Sequence, residues 1–213
     1  MQHVLILGAG GKIAKLAETM LLNETDADLT LFLRHPEKIT VSDEQRETVV
    51  TGDAANTGDL AQAMKGQDVV YANLAGSNIE TQAQQVVKSM DEAKVNRLVW
   101  ISTLGIYDEV PGAFGKWNHQ MLDDGYLPTY AAAAKVIEAS DLDYTIIRPA
   151  WLQNQDEVDY ELTNKGDAFK GTEVSRKSIA AVVTSLIKDP TIHIRASLGV
   201  NKPNTDGAKP SWY

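Results

Sequence analysis

The chain contains no cysteine. That excludes a disulfide framework, a thiolate metal site and a cysteine nucleophile, and it fits a reducing, cytoplasmic setting. Histidine is scarce: the four stand apart at positions 3, 35, 119 and 193, no carboxylate cluster has ligand spacing, and no metal centre is expected. Basic charge is in deficit, with 20 Lys and Arg against 29 Asp and Glu and a formal net charge of −9. Phosphate backbones and anionic lipid surfaces both recruit basic patches, so neither nucleic acid nor a membrane is an expected partner. No apolar run reaches the length of a membrane span. The apolar stretch near the start is short and ends in glycines, unlike a signal peptide. No Gly-x-Ser-x-Gly nucleophile elbow occurs.

What is present is regular. The 213 residues, 43% of them hydrophobic, suit one domain over 1–213 with a sizeable core. Short apolar runs read as strands buried on both faces: "HVLIL" (3–7), "DLTLFLR" (28–34), "ETVVTGD" (47–53), "DVVYANLAG" (68–76), "RLVWIST" (97–103) and "DYTIIRP" (143–149). Between them lie helical patterns at 12–24, 57–66, 78–95 and 130–140. Such alternation predicts βαβ units with right-handed crossovers, and so an α/β, three-layer Rossmann-like fold with a mostly parallel sheet. A further helix is expected over 175–189, with Ser175 as its N-cap, and a loop over 200–213.

The glycines of "VLILGAGGKIA" sit between the first strand and the first helix. In an open parallel sheet, ligands bind beyond the carboxyl ends of the strands. There Gly8 can turn the chain, Gly11 can let backbone approach a pyrophosphate, and Ala14 can let the helix pack close to its strand. The helix N-terminus adds free N–H donors and partial positive charge. The strand–turn–helix context makes this a dinucleotide site. In NAD-binding chains an acid about 20 residues on from the glycines holds the ribose 2′-hydroxyl. Here the second strand ends in Arg34 and His35, with no acid before Glu37. A guanidinium suits a 2′-phosphate, which favours NADP (NADPH) over NAD. His35 either stacks near the adenine or faces solvent, the second being the favoured reading. Asp53 either accepts from the adenine amino group or shapes a turn with Gly52.

Together "LILGAGGKIAKL", "LRHPEKI", "TGD", "RLVWIST", "DYTIIRPAWL" and "VSRKSIAAVV" resemble the atypical short-chain dehydrogenase/reductases, in their NAD(P)-binding NmrA-like branch. The likeness spans nearly the whole chain, and is closest to small single-domain reductases of the biliverdin reductase B and flavin reductase type. It implies a seven-stranded sheet in the order 3-2-1-4-5-6-7, with a substrate-side region over about 104–129 and 150–174. It also implies cofactor contacts at Gly8, Gly10, Gly11, Lys12, Ile13, Arg34, Asp53, Ala54, Leu74, Ala75 and Gly76. Ser102, Thr103 and the stretch Pro149, Ala150, Trp151 and Leu152 would lie beside the nicotinamide.

The superfamily's usual Tyr-x-x-x-Lys pair is not matched. Tyr130 and Lys135 are five apart, which turns them about 140° away from each other around a helix. Lys135 is kept as a candidate that reaches cofactor or substrate, and Ser102 and Thr103 as hydroxyls that either bond the acceptor or cap their strand. Without a proton-donating dyad, hydride transfer to a small conjugated acceptor, such as a flavin or quinone, is the expected chemistry, because the acceptor stabilises its own added charge. The alternative is a non-catalytic redox sensor of the NmrA type. An epimerase or dehydratase would want the Tyr–Lys pair and a larger C-terminal domain. The glycine-bearing stretch 112–127 reads as a movable lid with a short helix, carrying Trp117 and His119. A monomer or weak homodimer is expected.

Overall fold

The computed structural model describes residues 1–213. The central sheet is built from β1 (His3–Leu7), β2 (Asp28–Leu33), β3 (Glu47–Thr51), β4 (Val69–Ala72), β5 (Arg97–Ile101), β6 (Asp143–Pro149), β8 (Glu161–Thr163) and β10 (Ala196–Asn201). Its order is β3-β2-β1-β4-β5-β6-β10-β8. All pairings are parallel except that of β8 with β10. The expected seven-strand order is therefore present, with one short antiparallel strand added at its edge. A separate two-stranded ladder joins β7 (Trp151–Gln153) to β9 (Glu173–Ser175).

The strands alternate side chains between two apolar layers. Val4 and Ile6 of β1 belong to one, with α1 (Lys12–Glu24) and α6 (Arg176–Lys188) packed over it. Leu5 and Leu7 belong to the other, under α2 (Thr57–Ala63), α3 (Ile79–Ala93) and α5 (Tyr126–Glu138). Apolar side chains on both faces are what a parallel sheet covered on both sides requires. At the predicted cap, Ser175 accepts from the Ser178 N–H at 2.9 Å.

Three expectations need correction. First, the helix read at 130–140 begins at Tyr126. Pro128 falls in its first turn, where the missing N–H costs no helical bond. Second, the short helix expected within 112–127 takes up most of that stretch: α4 (Gly112–Leu122) is a regular helix that leads almost directly into α5, with Gly112 and Gly125 at positive φ on either side. Gly115 is buried against Val110, whose carbonyl oxygen would lie 2.0 Å from an added Cβ, so this glycine serves packing and not hinge motion. Third, the strand "ASLGVN" (196–201) was not read from the residues. Ser197, Gly199 and Asn201 break its apolar run, yet β10 lies between β6 and β8 and is buried along Ser197–Asn201.

Candidate functional site

The strand order reverses between β1 and β4, and the crevice there is a cavity of about 240 Å³. Gly8, Gly10 and Gly11 form its floor. Gly8 has φ +77 and donates its N–H to the Phe32 carbonyl at 2.9 Å. A Cβ there would lie 2.3 Å from the Asn73 carbonyl oxygen. Gly11 is the N-cap of α1 and receives no side-chain cap, so the first-turn N–H groups of that helix are left for a ligand.

The expected reason for Gly11 is revised. A Cβ at Gly11 would meet not open cleft but the Asn73 side chain, with Nδ2 at 2.0 Å. Gly10 is the glycine with room: its nearest neighbours, Leu33 Cδ1 and Lys38 Cβ, would be at 3.4 and 3.8 Å. Ala14 is buried in the core, as close helix–strand packing asks, and the Ile13 side chain is buried beside it.

Arg34, His35 and Lys38 line the far end of the crevice, and all three are exposed. His35, read as facing solvent, borders the cleft and lies 3.3 Å from Glu37. Lys38 was not singled out in the sequence; a single 3-10 turn at Pro36–Lys38 brings it back toward Gly10. Asp53 and Ala54 form the opposite wall. Asp53 Oδ1 accepts from the Ala55 N–H at 2.9 Å, so the turn role and a place in the cleft coexist. Leu74 and Ala75 border the same space, joined by Asn73, Asn78 and Gln82, which the sequence did not flag. Gly76, with φ +120, sits just outside that lining and accepts from the Ile79 N–H at 3.2 Å. Lys12 is exposed and borders a neighbouring groove with Lys15 and Arg176. Glycine floor, uncapped helix end and three basic side chains fit a phosphorylated dinucleotide.

A second cavity, of about 370 Å³, opens beyond β5 and β6. Ser102 and Thr103 contribute from the end of β5, and Pro149 to Leu152 from the end of β6. The Ser102 hydroxyl is buried and has no hydrogen-bond partner. Its outer wall is aromatic. Trp151 is fixed by an Nε1–H bond to Asn118 Oδ1 at 2.9 Å and lies 4.7 Å, centroid to centroid, from Trp117 of α4. Tyr213 packs edge-on against both, at 4.9 Å from Trp117 and 5.4 Å from Trp151. Trp212 and Tyr213 were missed in the sequence, where they sit in a polar loop. Ser211 ties that loop down: its N–H and hydroxyl donate to Glu173 at 2.7 and 3.1 Å.

Lys135 is not brought to either cavity. It is exposed on α5 and borders neither lining. Tyr126 is the helix residue that reaches the second cavity, and its ring stacks on that of Tyr130 at 4.4 Å. Burial pushes the Tyr130 phenol well above its ordinary range, with Tyr126 adding to the effect. His119 lies within 3.4 Å of Asp108 and 2.9 Å of Asp123, an arrangement that satisfies a surface imidazole. No group of three or more His, Asp or Glu side chains is placed to hold a metal ion.

Behind the cavity runs a buried network. Glu109 accepts from the N–H groups of Gly105 and Tyr107, each at 3.0 Å, and pairs with Arg148. Arg148 also donates through Nε to Ser197 Oγ at 3.0 Å. These bonds fix the loop that follows Thr103.

Comparison with known proteins gives the same outline. The profile of a family described as NAD(P)H-binding matches residues 8–190. A Rossmann-fold NAD(P)-binding family protein from Shigella flexneri is 43% identical, over 99% of this chain and 98% of its own, with a TM-score of 0.85. A short-chain dehydrogenase/reductase from Veillonella parvula DSM 2008, solved in complex with NADP, is 33% identical over 99% of each chain, with a TM-score of 0.90. Among curated proteins, the uncharacterized sugar epimerase YhfK of Bacillus subtilis (strain 168) is 26% identical over 91% of each.

Proposed function

Because the chain belongs to the NAD(P)H-binding family, we propose that it is an NADPH-dependent oxidoreductase acting on a small conjugated acceptor such as a flavin or quinone. The observation that carries the reading is the second cavity: aromatic, beyond the ends of β5 and β6, with an unpartnered Ser102 hydroxyl in its lining. When bound, the reduced dinucleotide supplies the hydride. The chain's own residues do the rest. Arg34 and Lys38 offer positive charge and His35 a ring N–H donor to a 2′-phosphate, which supports NADPH over NADH. The NADP carried by the Veillonella relative supports the same preference. Asp53 and Ala54 border the adenine end, and the uncapped turn of α1 offers its N–H groups to the pyrophosphate. Ser102 and Thr103 orient the acceptor, while Trp151, Trp212 and Tyr213 offer flat faces to a conjugated ring. We read the chain further as cytoplasmic and as a monomer or weak homodimer; no helix is long and apolar enough to cross a membrane.

The test is NADPH consumption by the purified protein against a panel of flavins and quinones, with bound NADPH confirmed in the same sample. Turnover with one acceptor class establishes the reductase. Firm binding with no turnover on any acceptor moves the protein to the second reading, an NmrA-type redox sensor. That reading draws on the cavity's lining, which contains Tyr126 but neither Tyr130 nor any lysine.

A further inference from the structure

The motif "VSRKSIAAVV" contains a residue that the proposed reaction leaves unused, Arg176. It is the first residue of α6, capped by Ser175. A cation is misplaced there, because a helix N-terminus favours negative charge. Lys177 follows it, and the first turn holds no acid. Lys177 is paired with Asp156 at 2.6 Å, but Arg176 has no carboxylate within 4.0 Å. Its Nη1 donates to the Leu152 carbonyl at 3.2 Å and to Asn154 Oδ1 at 2.8 Å. Those two bonds fix the guanidinium and leave Nε and Nη2 without a partner in the chain.

Arg176 stands between two grooves: on one side it borders Lys12, Lys15, Asn154 and Asp156, and on the other it is the sole charged side chain in the lining of the second cavity, where its neighbours are apolar, aromatic or hydroxyl-bearing. Holding a half-buried cation without a carboxylate partner is unfavourable unless a counter-charge arrives. In a chain with a net charge of −9, a positive site held open in this way selects strongly for sign. Ser102 lines the same cavity, and its buried hydroxyl has no partner within the chain.

We infer that Arg176 is the anion-recognising residue of the acceptor pocket, and that the natural acceptor is a conjugated ring bearing a carboxylate, sulfonate or phosphate. This rests on the reductase reading for the word acceptor, but the anion site stands on its own geometry. Arg176 binds and orients; it takes no part in the electron count.

The experiment uses two quinones, neutral menadione and a naphthoquinone sulfonate. Their binding to the protein saturated with NADP+, where no turnover occurs, is measured by equilibrium dialysis. The wild type, Arg176→Gln and Arg176→Lys are compared, and NADP+ affinity is recorded for each. Loss of a charge-assisted contact predicts sulfonate binding about ten- to a hundredfold weaker in Arg176→Gln. Menadione binding and NADP+ affinity hold, and Arg176→Lys recovers part of the sulfonate affinity. Equal losses for both quinones, weakened NADP+ binding, or no sulfonate binding by the wild type overturns the inference. NADPH oxidation with both quinones is then followed. Sulfonate binding that depends on Arg176 without any NADPH oxidation defeats the reductase reading and leaves the anion site standing. Turnover with no dependence on Arg176 does the reverse.

Discussion

At the residue scale the three opening glycines have different reasons to be glycine, and they separate in experiment. Gly8 needs both its positive φ and the absent Cβ, since the Asn73 carbonyl oxygen lies 2.3 Å from where that atom would be. Gly8→Ala is expected to lower stability by at least about 1–2 kcal/mol from the backbone term alone, read as a shift in the urea midpoint. Gly10→Ala meets only ordinary contacts, so it is expected to leave the midpoint within about 1 kcal/mol of wild type while placing a methyl group toward the dinucleotide and weakening NADPH. Equal midpoints for the two variants would show that Asn73 does not constrain the turn. Arg34 belongs to the same scale. Arg34→Glu is expected to raise the Kd for NADPH about ten- to a hundredfold more than that for NADH, because it replaces a charge-assisted donor with a repelling carboxylate. Titration with both cofactors decides it, and an equal loss removes Arg34 from the 2′-phosphate.

At the scale of elements, the loop after β5 is held by one carboxylate. Glu109 bonds two backbone N–H groups and pairs with Arg148, whose side chain is fully buried. Glu109→Ala leaves that guanidinium uncompensated, and a loss of about 3–5 kcal/mol in urea unfolding is expected. A loss under 1 kcal/mol would mean that water replaces the carboxylate. Neither member of this pair was legible in the sequence, because they are 39 residues apart and only the fold joins them. What was legible is local. The strand and helix periods gave the α/β order through residue 149, since a strand buried on both faces is apolar along nearly its whole length. The glycine cluster marked the crevice because its strand, turn and helix are contiguous. Gly11 borders the crevice, but the contact that excludes a side chain there is with Asn73, which arrives from the segment after β4. Tyr213 was hidden for the same reason: its partners Trp117 and Trp151 are distant in the chain, and Trp212 reaches the cavity beside it. The helix within 112–127 is longer than its three glycines suggest, because Gly115 packs against Val110 inside it while Gly112 and Gly125, with positive φ, stand at its two ends.

At the scale of the whole molecule, global stability is tied to pH through a buried acidic pair. Burial, with Glu47 opposite, pushes Glu18 up to about 7. Both side chains are buried, and each keeps one oxygen without a partner. In the unfolded chain such a carboxyl loses its proton near its ordinary value of 4.5, so between that pH and about 7 the folded state holds the extra proton. Stability contributed by the protonated form is full at the acid end of this window and is lost as pH rises through it. Thermal melting followed across that window is expected to show the midpoint falling with pH in the wild type, and a flatter profile in Glu18→Gln. An unchanged slope in the variant would place the titration elsewhere.

The crevice at β1 and β4 and the cavity beyond β5 and β6 open along one edge of the sheet, yet no residue lines both. Such a partition makes the molecule modular under mutation. Effects at well-separated sites with no shared partners add, so Arg34→Glu combined with Arg176→Gln is expected to show the sum of the two single losses, in free energy, within about 0.5 kcal/mol. Substitutions in the glycine-floored crevice can therefore be selected without disturbing the lining of the second cavity, and the Trp212 and Tyr213 wall can be rewritten while the Arg34, His35 and Lys38 end of the crevice is left untouched.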